Sequence, residues 1–123
     1  PPFGRAGSIG VIRVHADMSG QLAREGIKIT LIAAGKHKAD GNPFQSLPEG
    51  LAAKMQGEAE AMRKTFAAHV GKYRGHRFSA DAAMATEADV YGAEDAVKIG
   101  MADAIGNAND AFDAFVAEIK RRG

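Results

Sequence analysis

Two short apolar runs and a series of helix-spaced stretches organise this chain. Ile9 to His15 (IGVIRVH) and Ile27 to Ala33 (IKITLIA) are rich in β-branched residues, and Ile27, Ile29 and Leu31 alternate with their neighbours. Near-continuous apolar runs of this length predict strands covered on both faces of a parallel sheet. Between them, Asp17 as N-cap and Gly26 just past the end predict a short helix. Strand, helix and strand form a βαβ unit, whose crossover is right-handed. Residues 34–43 (AGKHKADGNP) follow the second run and read as a loop, since Gly35, Asp40, Gly41, Asn42 and Pro43 all favour turns. In parallel sheets, loops after the C-terminal ends of strands are where ligands bind.

The longest periodic stretch comes next. Ser46 and Glu49 fit a capping box. Leu51, Met55, Ala59, Met62, Phe66, Val70 and Tyr73 then recur at alternating steps of four and three. That spacing draws one stripe down a long amphipathic helix ending before Gly75. Its methionines read as core filler. A shorter helix is predicted over Ala80 to Ala85 with Ser79 as its cap, and a brief strand or turn over Ala88 to Gly92. A helix over Ala93 to Ile99 should stop at Gly100, and Met101 to Ile105 form a small strand. Phe112, Phe115, Val116 and Ile119 mark one face of a last helix. Its basic end, Lys120 to Arg122, suits the negative pole of the helix dipole.

Composition narrows the function classes. A chain of 123 residues is one domain at most. Its net charge of +1 argues against a nucleic-acid or anionic-membrane partner. The absence of cysteine excludes disulfides and thiolate chemistry. No apolar run approaches the ~20 residues that span a bilayer. The chain opens Pro1-Pro2-Phe3, which reads as the continuation of a longer protein.

Candidate chemistry is sparse. His15, His37, His69 and His76 lack the spacing of a zinc site. Gly4, Gly7 and Gly10 precede a strand instead of opening a helix after one, which does not suit phosphate binding. Ser8, in Gly7-Ser8-Ile9-Gly10, lacks the G-x-S-x-G elbow of a nucleophile and on its own reads as a turn residue. Lys36 and Lys38 sit in the 34–43 loop. A lone loop lysine is ordinarily solvated, and one acting as a base must be neutral, through burial or neighbouring positive charge.

Several segments in order resemble the signal peptide peptidase A / phage protein C family of Ser-Lys peptidases. They are Gly7-Ser8-Ile9-Gly10-Val11-Ile12, Gly26-Ile27, Gly35-Lys36-His37-Lys38 and Asp40-Gly41-Asn42-Pro43-Phe44. Val90-Tyr91-Gly92-Ala93-Glu94-Asp95-Ala96 and Gly100-Met101-Ala102-Asp103 follow, with Met101 where the family usually has leucine. The resemblance implies an α/β fold of the Clp-protease/crotonase type. This chain would be a partial domain of it, residues 1–123, with parallel strands, a long amphipathic helix and no nucleophile-bearing N-terminal half.

The family's G-x-x-K lysine falls on Lys38, not Lys36, and the serine of its G-S-I-G segment, Ser8, is implied to hydrogen-bond and orient that base. No metal or organic cofactor is implied. The implied partners are a polypeptide substrate, capsid or scaffold proteins in the phage branch, and further copies of the chain in a homo-oligomer. The implied location is the host cytoplasm or prohead for the phage branch, which Asn42-Pro43 favours, and the membrane for signal peptide peptidases. Two other readings remain beside the Ser-Lys peptidase: a non-catalytic scaffold or oligomerisation module, and a self-contained hydrolase with Ser8 as nucleophile.

Overall fold

The structure is a computed structural model describing residues 1–123, and it divides into two compact units. The first comprises Pro1–Gly10 with Arg63–Gly123, the second Val11–Met62. The elements are β1 (Arg5–Gly7), α1 (Ser19–Arg24), α2 (Glu49–Arg74), α3 (Ala80–Ala85), β2 (Val90–Gly92), α4 (Ala93–Lys98) and α5 (Ala108–Arg122). A short 3₁₀ turn, Gly75–Arg77, follows α2.

In the first unit β1 pairs antiparallel with β2, Arg5 opposite Gly92, Ala6 opposite Tyr91 and Gly7 opposite Val90. Its core gathers Ile9, Ala67, Phe78 and Ala83, all buried, with Val70, Ala82, Met84, Ile99 and Met101 packed around them. The helix ends follow local rules. The Ser79 hydroxyl accepts from the Ala82 amide and starts α3. The Asn107 side chain accepts from the Asp110 amide and starts α5. Arg74, at the end of α2, donates to the Gly100 carbonyl and makes a fork-to-fork pair with Asp103 at 2.8 and 2.9 Å. Arg77 adds a second contact to Asp103 at 2.6 Å. This clamp ties α2 to the segment after α4. The Arg74 guanidinium holds the Asp103 carboxyl below its ordinary value.

In the second unit α1 ends as expected. Gly26 takes a left-handed φ of 68°, its N–H donates to Ala23, and the Ile27 N–H donates back to Leu22. This is the Schellman arrangement. The start differs by one residue: Met18 occupies the N-cap position, and Asp17 just outside it accepts from the backbone and hydroxyl of Ser19. Those two bonds hold the Asp17 carboxyl below its ordinary value.

Three further expectations need correction. Neither Ile9–His15 nor Ile27–Ala33 is a strand, and the parallel βαβ unit does not form. Apolar alternation marks a segment suited to extended backbone, but a strand exists only when a neighbour takes its backbone hydrogen bonds. Much of both runs stays exposed, including Ile12, Val14 and Ile32. Met101–Ile105 is likewise outside any sheet. The capping box also fails, because α2 starts at Glu49 with Pro48 supplying the first helical carbonyl. A proline disfavours helical backbone in the residue before it, which keeps Ser46 and Leu47 outside the helix.

The long helix forms, but its covered side runs through Leu51, Met55, Ala59, Arg63, Ala67, Val70 and Arg74. Met62, Phe66 and Tyr73, expected on that stripe, are exposed. Two arginines take their place because their long apolar stems cover the core side while their guanidiniums reach backbone carbonyls.

Candidate active-site segments

Ser8 lies in the first unit, directly after β1. Gly7 ends the strand with φ 143°, and a side chain there would meet the Asp89 carbonyl at 2.2 Å, so only glycine fits. Ser8 itself has φ 58°, a left-handed conformation uncommon outside glycine. Its N–H donates to the Asp89 carbonyl at 2.9 Å, and its own carbonyl accepts from the Gly10 N–H at 2.8 Å. Ile9 next to it is sunk in the core at 3% exposure while Ser8 is exposed. The segment is therefore anchored on both sides of a residue that faces outward.

Lys38 lies in the second unit, on a loop built from successive tight turns. Gly35 has φ 103°, and its carbonyl accepts from the Lys38 N–H at 3.1 Å. The G-x-x-K spacing is thus the spacing of one turn, with glycine at the position that L-residues resist. Further turns close from Asp40 to His37 and from Asn42 to Ala39. The Asn42 side chain donates to the Ala39 carbonyl and accepts from the Phe44 amide. Two more contacts pin the far end of the loop: His15 Nε2 to the Asn42 carbonyl at 2.9 Å, and the Met18 N–H to the Pro43 carbonyl at 2.8 Å.

The surroundings of this loop carry mixed charge. His37 and Asp40 pair at 2.9 Å, and both line a cleft of about 270 Å³ together with Arg13, Lys54 and Glu58. Arg13 pairs with Glu58 at 2.8 Å. Lys38 itself is exposed.

Several residues that shape these segments escaped sequence reasoning. Asn42 and His15 secure the loop, and Asp89 fixes the Ser8 backbone. Only Asn42 carried a local signal, the Asn-Pro turn pair. His15 and Asp89 act on residues far away in sequence.

A family model describing peptidase family S49 matches residues 1–120. This chain belongs to peptidase family S49. Among its relatives is the head-tail preconnector protein GP5 of Enterobacteria phage P21, 41% identical over 115 residues, or 94% of this chain and 23% of that protein. Capsid assembly protease C of Escherichia phage lambda is 40% identical over 108 residues, or 88% of this chain and 24% of that protein. The S49 chain thus spans about a quarter of the length of these relatives. No helix in it is long and apolar enough to cross a membrane.

Proposed function

We propose that this S49 chain is part of a serine endopeptidase of phage prohead maturation, and that it supplies the general-base lysine, Lys38. The observation that carries the reading is the 40% identity to a capsid assembly protease over 108 residues, 88% of this chain. It favours the phage branch over signal peptide peptidases. The polypeptide is proposed to adopt the Clp-protease/crotonase architecture with residues outside these 123, and to work as a homo-oligomer on capsid or scaffold proteins.

In this mechanism a serine outside the chain is the nucleophile. The neutral Lys38 amine takes the proton from that hydroxyl as the oxygen attacks a peptide carbonyl. Backbone N–H groups stabilise the resulting oxyanion. The lysine returns the proton to the departing amine as the C–N bond breaks, leaving an acyl-enzyme. Water then attacks the ester, giving its proton to the same lysine, which passes it to the serine oxygen as the ester C–O bond breaks and the carboxylic product leaves. Ser8 holds the lysine in line through its hydroxyl. A lysine base needs water excluded from its amine, so further polypeptide must cover the exposed 35–43 loop during catalysis.

The test uses the full-length protein with an unfolded polypeptide and its own capsid and scaffold proteins as substrates. Cleavage by the wild type and none by folded Lys38→Ala or Lys38→Arg variants supports the dyad, since arginine cannot serve as a base. Equal cleavage by all three removes Lys38 from the role.

A second reading is a scaffold or interaction module without catalysis. One observation favours it: the apolar face of α5, with Phe112, Phe115 and Ile119, is exposed. A folded full-length protein that cleaves none of these substrates and still assembles with capsid proteins would put this reading first.

A further inference from the structure

The chain has three non-glycine residues with positive φ, and they meet at one place. They are Ser8 at 58°, Glu87 at 48° and Ala88 at 63°. Each left-handed residue of this kind costs on the order of 1–3 kcal/mol and persists only where its surroundings over-determine it. The hydrogen bond from Ser8 N–H to the Asp89 carbonyl joins the two strained segments. They also touch at both ends. A side chain at Gly7 would strike the Asp89 carbonyl at 2.2 Å, and one at Gly10 would lie 2.6 Å from the Ala88 Cβ.

The 87–89 turn is itself braced. Buried Thr86 donates its hydroxyl to the Ala83 carbonyl at 2.7 Å, and the Thr86 carbonyl accepts from the Asp89 N–H at 2.9 Å. The Asp89 carboxylate accepts from the Val90 N–H at 2.7 Å. Arg63 reaches in from α2: its Nη2 donates to the Met84 carbonyl at 2.8 Å and stands 3.3 Å from the Glu87 carboxylate. The Arg63 Nε is buried with no hydrogen-bond partner in the protein. A ladder of three residue pairs requires none of this strain.

We infer that the Glu87–Asp89 turn, braced by Arg63 and Thr86, is a template that sets the backbone of Ser8, making Arg63 and Ala88 positioning residues for the serine that orients the base. This rests on the proposed role of Ser8. The turn acts only through Ser8, by fixing where its hydroxyl points.

A double-mutant cycle in the full-length peptidase tests it, with kcat and KM measured for Gly10→Ala, Ala88→Gly and the pair. The Gly10→Ala methyl meets only Ala88 within 4 Å, so removing the Ala88 Cβ removes the collision. Gly10→Ala should lower kcat at least about tenfold with KM within about twofold, and cost less than about threefold when introduced into Ala88→Gly. An equal kcat cost in both backgrounds overturns the template. So does a lowered melting temperature with kcat unchanged.

Should Gly10→Ala fail to fold, Arg63→Met keeps the apolar stem and removes the donors. It should lower kcat at least about fivefold with KM held, and an unchanged kcat overturns the proposal. Ser8→Ala separates the two levels. Full activity in Ser8→Ala removes the orienting role and the template with it. An impaired Ser8→Ala beside a background-independent Gly10→Ala removes the template alone.

Discussion

Ile9 links the fold of the first unit to the segment that carries Ser8, and truncating it gives a sharp prediction. Its side chain is 3% exposed among Ala67, Phe78 and Ala83. Ile9→Ala removes three carbons, worth about 2.4 kcal/mol at ~0.8 kcal/mol each. Two of its core neighbours are alanines, whose methyls are fixed to helical backbone and cannot swing into the space. The residual cavity should therefore raise the cost to about 3–4 kcal/mol. Hydrogen exchange in the full-length protein reads this locally, at the Ala83 amide, which donates to Ser79 within the same core. At about 1.4 kcal/mol per tenfold, protection there should fall by two to three powers of ten. Ile9→Val should cost only about 0.5–1.5 kcal/mol. A fall of less than about tenfold for Ile9→Ala would refute the view that Ile9 organises this core.

Two further predictions concern the clamp and the lysine loop. The Asp103 carboxyl is held below its ordinary value of 3.8, so the unfolded chain takes up its proton first as pH falls. The contribution of the pair is fully present above 3.8 and is lost as pH drops through the lower folded value. Asp103→Asn should therefore melt below the wild type at neutral pH, and the gap should close on acidification below 3.8; a gap unchanged down to about pH 2.5 would contradict the ion-pair account. Gly35→Ala places a side chain at φ 103° and should open the turn that seats Lys38. It should lower kcat of the full-length protein at least about tenfold, while Lys36→Ala leaves kcat unchanged; the reverse pattern would move the base to Lys36.

What the sequence makes legible here is local. Ser79 before Ala80, Gly26 after Arg24 and Gly75 after Arg74 each act within a few residues of the helix end they set, and all three boundaries form. The brief strand at Val90–Gly92 is also where expected, as is the last helix with its apolar face. Sheet pairing is a different kind of information. β1 lies more than 80 residues from β2, and nothing in Arg5-Ala6-Gly7 announces a strand. The apolar runs 9–15 and 27–33 announce themselves as strands yet do not pair with each other. Apolarity states that a surface seeks cover, and the residue that supplies the cover is set elsewhere.

The arginines make the same point from the polar side. On a helical wheel Arg63 and Arg74 read as solvated charge, whereas Met62, Phe66 and Tyr73 read as core. Their places are exchanged because Arg63 reaches Met84 and Glu87, and Arg74 reaches Gly100 and Asp103. Each arginine thus finds a carbonyl and a carboxylate 20 or more residues downstream, a pairing invisible to periodicity. The displaced apolar side chains form an exposed line along α2 instead. The candidate site follows the same division. The local turns that carry Ser8 and Lys38 were legible, since each holds its glycine in a left-handed or closely approached position. The groups that decide whether those turns can work, Asp89 behind Ser8 and His15 and Asn42 behind the lysine loop, act through backbone carbonyls and amides. Such contacts place few demands on side-chain identity, so the determinants of the site's geometry leave the faintest trace in the sequence.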